Sequence, residues 1–273
     1  MCHGVISKVS LGTDRTSRIV GLCAASLMHQ GRIMIMRKIL ITNDDGIYAE
    51  GIIRLAEAAQ TFGEVWVVAP DGQRSSASHG ISIHDSFDVY PKDFPVKGVH
   101  AFSCTGTPAD CIRSGAFYLM PCKPDVVLSG INNGYNTASD IQYSGTCGAA
   151  FEGRFQGIHS IAFSEKVDSC REVTDAYLRK LLGELIDKRL GEGQIYNVNF
   201  PGCKLDELKG IKYDTAVSNG YFFSTAYQKI ADLENGGCRL KVNGEYKEDA
   251  PEGTDSRAVI DGYISVSIVD NIK

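Results

Sequence analysis

Residues 38–51 read KILITNDDGIYAEG. After Lys38, the run Ile39, Leu40, Ile41, Thr42 has the look of a short buried strand, and Asn43, Asp44, Asp45 and Gly46 end it. Over 49–60 the residues Ile52, Ile53, Leu55, Ala56 and Ala59 recur with helical spacing. A strand that runs through a polar turn into an amphipathic helix opens an α/β unit. The turn also carries a problem. Two adjacent carboxylates repel each other, and near a dry core they cost free energy unless something neutralises them.

The same pattern recurs along the chain. VWVVA (65–69) ends at Pro70, Asp71 and Gly72; DVVLS (125–129) ends at Gly130; a further strand is expected at 161–163, just before Ser164. Helices are expected over about 108–119, 145–156 and 171–189. Short apolar strands alternating with helices predict an α/β fold with a mostly parallel sheet and helices on both faces. Ligands of such sheets bind outside the carboxyl ends of the strands. The loops NDDG (43–46), PDGQRSSASHG (70–80) and SGINNG (129–134) are therefore expected on one rim.

Past Gln194 turn signals multiply, among them Pro201-Gly202, Asn219-Gly220, Asn235-Gly236-Gly237 and Asn243-Gly244. Strands are expected at 195–200, 211–217 and 263–269. The stretch YFFSTAYQK (221–229) is aromatic and weakly charged. The expected division is a core over 36–194 and a C-terminal β-hairpin extension over 195–273. The extension would pack against another subunit, with the end of the chain returning to the core. Residues 1–35 carry Lys8, Arg15, Arg18 and Arg32 against one acid, Asp14. They are expected to be a non-native or poorly ordered leader, with a targeting peptide as the alternative.

Composition narrows the function classes. The 273 residues are 43% hydrophobic and 22% charged, ordinary for a globular chain with a sizeable core. A net charge of −5 argues against a nucleic-acid polymer or an anionic membrane as partner. Nine cysteines without a CxxC pair point to reduced thiols in a cytoplasmic protein and away from a zinc site. GxSxG, GxxxxGK[ST] and a GxGxxG opening the first helix are absent, as is a DxD pair.

The rim residues carry the chemistry, and each admits two uses. Asp44 and Asp45 suit a hard divalent cation, or they cap the helix that follows. Arg74, Ser75, Ser76, Ser78 and His79 suit phosphate, or form a solvated loop. Asn132 and Asn133 offer carbonyl oxygens to a cation, or make a plain turn. Ser144, Gly145 and Thr146 start a helix whose N–H groups can hold an anion, or they simply cap it. Thr105, Thr107 and Asp110 open another helix behind Pro108, with a weaker case for substrate contact.

Jointly these stretches resemble the survival protein SurE family of metal-dependent nucleotidases. The matching segments are ILITNDDGIYAEGI, VVAPDGQRSSASHGISI, CTGTPADC, DVVLSGINNGYN, YSGTCGAAFEG and TDSRAVIDGYISVSIV, and the likeness runs from about Met36 to the C-terminus. The resemblance implies a Rossmann-like core with a swapped C-terminal extension. It implies phosphatase activity on nucleoside 5′- and 3′-monophosphates, and on short polyphosphate in some members. It makes Asp44, Asp45, Ser75 and Asn132 the ligands of one Mg or Mn ion per subunit, with Asp44 and Asp45 catalytic. Asn43, Arg74, His79, Thr107, Asn133, Ser144, Gly145 and Thr146 would contact substrate, in a homodimer or homotetramer. The family often reads DRNRS where this chain reads DGQRS: Arg74 and Ser75 are kept, and Gly72 departs.

Attack by an activated water and a covalent aspartyl-phosphate on Asp44 are both open routes, with His79 a candidate acid for the leaving group. The rival classes are a nucleotide-binding regulatory module with a degenerate site and a metal-dependent hydrolase of C–N bonds.

Overall fold

A computed structural model of the chain describes residues 28–29, 32–33 and 36–271. The chain divides into two compact units, Met1–Met36 and Arg37–Lys273. In the first, the backbone of Met28–His29 pairs antiparallel with that of Arg32–Ile33. The expectation of a poorly ordered leader otherwise falls outside the described residues.

In the second unit one nine-stranded sheet carries the fold. Its strands are β1 (Lys38–Thr42), β2 (Glu64–Pro70), β3 (Val89–Pro91), β4 (His100–Cys104), β5 (Val126–Asn133), β6 (His159–Glu165), β7 (Gln194–Phe200), β8 (Gly210–Tyr213) and β11 (Tyr263–Asp270). They lie in the order β8-β11-β7-β6-β5-β1-β2-β4-β3. The six strands from β7 to β4 run parallel. β11 is antiparallel to β7, and β3 to β4. Two strands outside this sheet, β9 (Ala226–Asp232) and β10 (Cys238–Asn243), form an antiparallel hairpin.

Side-chain alternation explains why helices cover both faces. Ile39 and Ile41 of β1 pack in one cluster with helices α1 (Glu50–Ala59) and α5 (Glu172–Leu185). Leu40, between them, belongs to the opposite cluster with α2 (Pro108–Ser114) and α4 (Gly145–Phe155). Val67 and Leu128 repeat the first choice, Val68 and Val127 the second. Two short helices, α3 (Asp140–Tyr143) and α6 (Asp255–Ile260), complete the set. The expected helix over 108–119 changes character at Ser114 and continues as a wider turn over Gly115–Leu119.

The boundary expected after residue 194 does not follow the sheet. β7 lies parallel to β6 with Ile195–Phe200 buried, so it is an interior strand of the core. The turn signals that set the boundary begin only at Pro201-Gly202, after β7, and β7 itself carries Asn197 and Asn199. Both are buried, and their amides donate to Asn136 O at 2.8 and 3.1 Å. Among the described strands past residue 194, only those of the β9–β10 hairpin stand outside the large sheet.

Chain order sets the site. β1, β2 and β4 proceed to one side and β5, β6 and β7 to the other. The order reverses between β1 and β5, so their carboxyl ends flank a crevice at the switch point.

Candidate metal and phosphate site

β1 delivers the two carboxylates to that crevice. Asn43, fully buried, ties the turn: its Nδ2 donates to Gly46 O at 2.9 Å, and its Oδ1 accepts from Gly46 N at 3.2 Å. Asp44 is 4% exposed. Its Oδ1 accepts from Thr146 Oγ1 at 2.6 Å and its Oδ2 from Thr146 N at 3.3 Å. Asp45 is half-buried, and its Oδ2 accepts from Asn133 N at 3.2 Å. Neither carboxylate caps α1, whose N-cap is Ala49 with no side-chain bond.

α4 comes close enough to hold Asp44 because it begins with glycine. A Cβ at Gly145 would sit 2.9 Å from Asp44 Cβ and 3.0 Å from its Oδ2. Ser144 caps the same helix, accepting from Cys147 N at 3.0 Å. The first turn of α4 thus directs its Thr146 N–H at a protein carboxylate, and Ser144 lines the cavity beside it.

β5 supplies the opposite wall through an irregularity between Ser129 and Asn132. Gly130 has φ +131°, and a Cβ there would lie 2.3 Å from Phe163 O. The break re-aims the strand end. Asn132 Nδ2 donates to Gly134 O at 2.8 Å, which leaves its Oδ1 for a cation. Asn133 exchanges hydrogen bonds with Asp168, both at 3.1 Å.

Asp44, Asp45, Ser75 and Asn132 line one cavity of about 310 Å³, together with Asn133 and Ser144. Burial, with the charge of Asp45, outweighs the hydrogen bonds from Thr146 and pushes the Asp44 carboxyl up to about 6. Burial likewise raises Asp45. A buried carboxylate pair held short of easy ionisation fits a positive charge placed against it. The donors are all oxygens, as Mg or Mn prefers. No cluster of three or more His, Cys, Asp or Glu able to hold a metal occurs among the described residues. With two carboxylates, an ion here would keep coordination positions for water or substrate.

Six expected contact residues stand outside the cavity lining: Asn43, Gly145 and Thr146, described above, and a further three, Arg74, His79 and Thr107. Arg74 donates from Nη2 to Asp71 Oδ1 at 3.0 Å and Thr105 O at 3.1 Å, while its backbone N–H reaches Asp44 O at 2.7 Å. His79 Nε2 lies 2.8 Å from Glu152 Oε2, and its Nδ1 is 3.5 Å from Asn271 Nδ2. Thr107 caps α2 and donates to Gly80 O at 2.7 Å. All three brace the loops that carry the site.

A family model described as Survival protein SurE matches residues 39–222. The chain belongs to the SurE family. The 5′-nucleotidase SurE of Clostridium botulinum (strain ATCC 19397 / Type A) is 39% identical over 233 residues, 84% of this chain and 91% of that one. The 5′/3′-nucleotidase SurE of Klebsiella pneumoniae (strain 342) is 40% identical over 236 residues, with 84% and 88% covered. The crystal structure of the SurE protein from Aquifex aeolicus aligns with a TM-score of 0.72 and 34% identity, covering 86% of this chain and 94% of that one. Gly72, where the chain departs from the commoner SurE loop, is not sterically required: a Cβ there would meet nothing within 4 Å.

Sequence reasoning missed part of the SurE cavity wall, namely Tyr135, Asn136, Asp140, Tyr143 and Tyr246. Tyr135 and Asn136 directly follow SGINNG, and that adjacency was the available signal. Tyr246 follows the hairpin and stands edge-on to Tyr135 at 5.9 Å; no local pattern marks it. No helix among the described residues is long and apolar enough to cross a membrane.

Proposed function

We infer that the chain is a divalent-metal-dependent phosphatase that hydrolyses nucleoside 5′-monophosphates, and 3′-monophosphates, to nucleoside and phosphate. Short polyphosphate is a further substrate in this reading. The observation that carries it is the carboxylate pair at the switch point, buried Asp44 and half-buried Asp45, in one cavity with Ser75 and Asn132. The names of the relatives, 5′-nucleotidase and 5′/3′-nucleotidase, support the substrate class.

Asp44, Asp45, Ser75 and Asn132 would hold one Mg or Mn ion, which would set positive charge against the phosphoryl oxygens and acidify a nearby water. Thr146 fixes Asp44 through two hydrogen bonds, so the ligand is oriented before substrate arrives. Asn133 N–H fixes Asp45 through Oδ2 and leaves Oδ1 to orient the attacking water and take its proton. Water forms the new O–P bond, the ester O–P bond breaks, and the departing alkoxide takes a proton from solvent. Both oxygens of Asp44 accept from Thr146, which disfavours Asp44 as a nucleophile and supports the direct route. His79 has no part in it, since its ring is engaged with Glu152.

The active unit in this reading is a cytoplasmic homodimer or homotetramer. Support comes from the exposed apolar residues Ile230, Leu233 and Leu240 of the hairpin region.

The test is phosphate release from a panel of nucleoside monophosphates in EDTA, in Mg and in Mn, with Asp44→Asn alongside. Metal-dependent turnover should fall about 10²-fold or more in the variant, the scale of losing one preorganised electrostatic group. The thermal stabilisation by Mn should vanish with it. A folded protein without turnover in either metal returns the chain to the nucleotide-binding regulatory class.

A further inference from the structure

One face of α1 is turned to the strand ends that carry the asparagines. Gly51 and Arg54 lie three residues apart on it, and Glu50 and Arg54 four. Gly51 presses on β5: a Cβ there would fall 2.9 Å from the carbonyl carbon of Ile131, the residue before Asn132, and closer still to its oxygen. Arg54 meets the end of β6. Its Nη1 donates to Glu165 Oε1 at 2.7 Å, while Nε and Nη2 donate to Asp175 Oδ1 of α5 at 2.9 and 2.6 Å. Arg171, the N-cap of α5, pairs with Glu50, and its Nε stands 3.5 Å from Glu165 Oε1. Two arginines thus fasten α1, β6 and α5 to one another at the rim.

Glu165 is also where β6 meets the asparagine wall of the site. In the parallel register Glu165 lies opposite Asn133, and Ser164 opposite Asn132. Glu165 O accepts from Gly134 N at 2.9 Å, and Ser164 Oγ accepts from Asn136 Nδ2 at 2.8 Å. Asn133 N in turn donates to Asp45. The end of β5 is therefore held by α1 against its face and by β6 along its edge.

Stability is a poor account of this clamp. The side chains of Arg54 and Glu165 are 13% and 6% exposed, so both charges have largely left water. Glu165 Oε2 is buried and has no hydrogen-bond partner among the described residues. The desolvation of such a pair can exceed its attraction, and well-packed apolar residues often hold two elements together at least as firmly. An arginine fork supplies something else, a fixed spacing and orientation between the groups it joins. We propose that Arg54 and Glu165 are positioning residues for the metal site, which hold the Asn132–Asn133 end of β5 in place opposite Asp44 and Asp45. Neither touches the ion or the substrate; both act through β5. The inference rests on the metal-dependent nucleotidase reading.

The test measures Mn binding by the loss of the free-ion paramagnetic resonance signal, with phosphate release and urea unfolding on the same proteins. Glu165→Ala should weaken Mn binding about 10-fold, the scale of losing an outer-shell partner of a metal ligand. Its kcat at saturating Mn should match wild type, because the change lowers the population of the binding-ready arrangement and not the activity of the loaded one. Glu165→Gln keeps an acceptor oxygen for Arg54 and should restore wild-type Mn binding. Arg54→Lys keeps a cation beside Glu165, so the protein stays folded, but it gives up the fork to Asp175 and should weaken Mn binding in the same direction. Arg37→Ala breaks the ion pair with Asp187 at the opposite end of the sheet and is the control for lost stability; it should leave Mn binding unchanged. Wild-type Mn affinity in Glu165→Ala, or in Arg54→Lys where Glu165→Ala does not fold, overturns the positioning role while Mn-dependent turnover of the wild type keeps the nucleotidase reading. An equal weakening in Arg37→Ala assigns the effect to stability alone and also overturns it. A wild type whose Mn binding depends on Glu165 yet which releases no phosphate overturns the nucleotidase reading and keeps the positioning role. A wild type that binds no Mn overturns both.

Discussion

Asn43 follows the end of a β-strand and Asn243 is the last residue of one, each shortly before a glycine, and they meet different fates. Asn43 is fully buried, and both ends of its amide are bonded to the backbone of Gly46. Asn243 is exposed, as is every residue of β10. The sheet makes the difference. β1 has a parallel neighbour on each side, so its end is fixed and its polar turn can be drawn into the interior. β10 pairs only with β9, and the turn after it is tied to the segment that enters the hairpin, where Ser224 and Glu245 exchange hydrogen bonds, not to the large sheet. Polar residues at the carboxyl ends of central strands thus become rigid site groups, whereas the same residue types on a lone hairpin stay available for ligand or partner.

The sharpest way to break this contrast is to crowd the rim. In Gly145→Ala the new Cβ falls within 2.9 Å of Asp44, so the carboxylate or the start of α4 must shift. The expected loss is about 1–3 kcal/mol of stability from overpacking. Turnover should fall about 10²-fold, as for a catalytic group displaced by about 1 Å. Thermal unfolding and phosphate release measure the two separately. A variant with wild-type values in both would show that the rim has slack and that its rigidity has been overstated.

A smaller effect tests the brace behind the rim. Loop 71–80, which carries Ser75, is anchored through His79 to Glu152, and Glu152 also accepts from Arg113 and Gln156. Burial pushes the Glu152 carboxyl up, but hydrogen bonds from His79 and Gln156 and the charge of Arg113 more than offset it. It therefore lies below the ordinary glutamate value of 4.5. A lowered pKa means that the folded state holds the proton less tightly than the unfolded one. The stabilisation is complete above the unfolded value and is lost as pH falls through the folded one. Glu152→Gln should therefore cost about 1–2 kcal/mol at pH 7, the scale of a hydrogen bond to a charged group. The gap from wild type should narrow below about pH 4.5, as urea midpoints across that range would show. A gap that stays constant with pH would mean that the charge on Glu152 does not hold the loop.

Much of this architecture was legible before any coordinates. The short continuous apolar runs at 39–41, 65–69 and 126–128 mark central strands, and strand ends mark the rim. That placed Asp44, Asp45, Ser75 and Asn132 together without knowledge of their separation. The rest was illegible for physical reasons. β7 hides two asparagines in its interior whose amide N–H groups both donate to Asn136 O, some 60 residues away in sequence. Arg74, His79 and Thr107 have the chemistry of substrate contacts, but tertiary partners occupy them. Tyr246 reaches the site through the packing of Phe222 and Phe223, which no local pattern records.

The smallest expected effect lies at the other pole of the comparison. Ile230 and Leu240 are 53% and 52% exposed, so replacing both by lysine, whose long stem can cover the same surface, gives up little of the packing within this chain. Ile230→Lys with Leu240→Lys should move the unfolding midpoint by no more than about 0.5 kcal/mol per site, as for other surface substitutions. Native mass is then the informative readout. If the hairpin is a subunit seam, light scattering should report a smaller particle, because two buried charges per copy would oppose association. If mass and midpoint both stay at wild-type values, the apolar side of the hairpin is not a subunit seam. A large loss of stability in a protein that stays monomeric would contradict both, since it would mean that the hairpin is as tightly built into its own chain as Asn43 is into the rim.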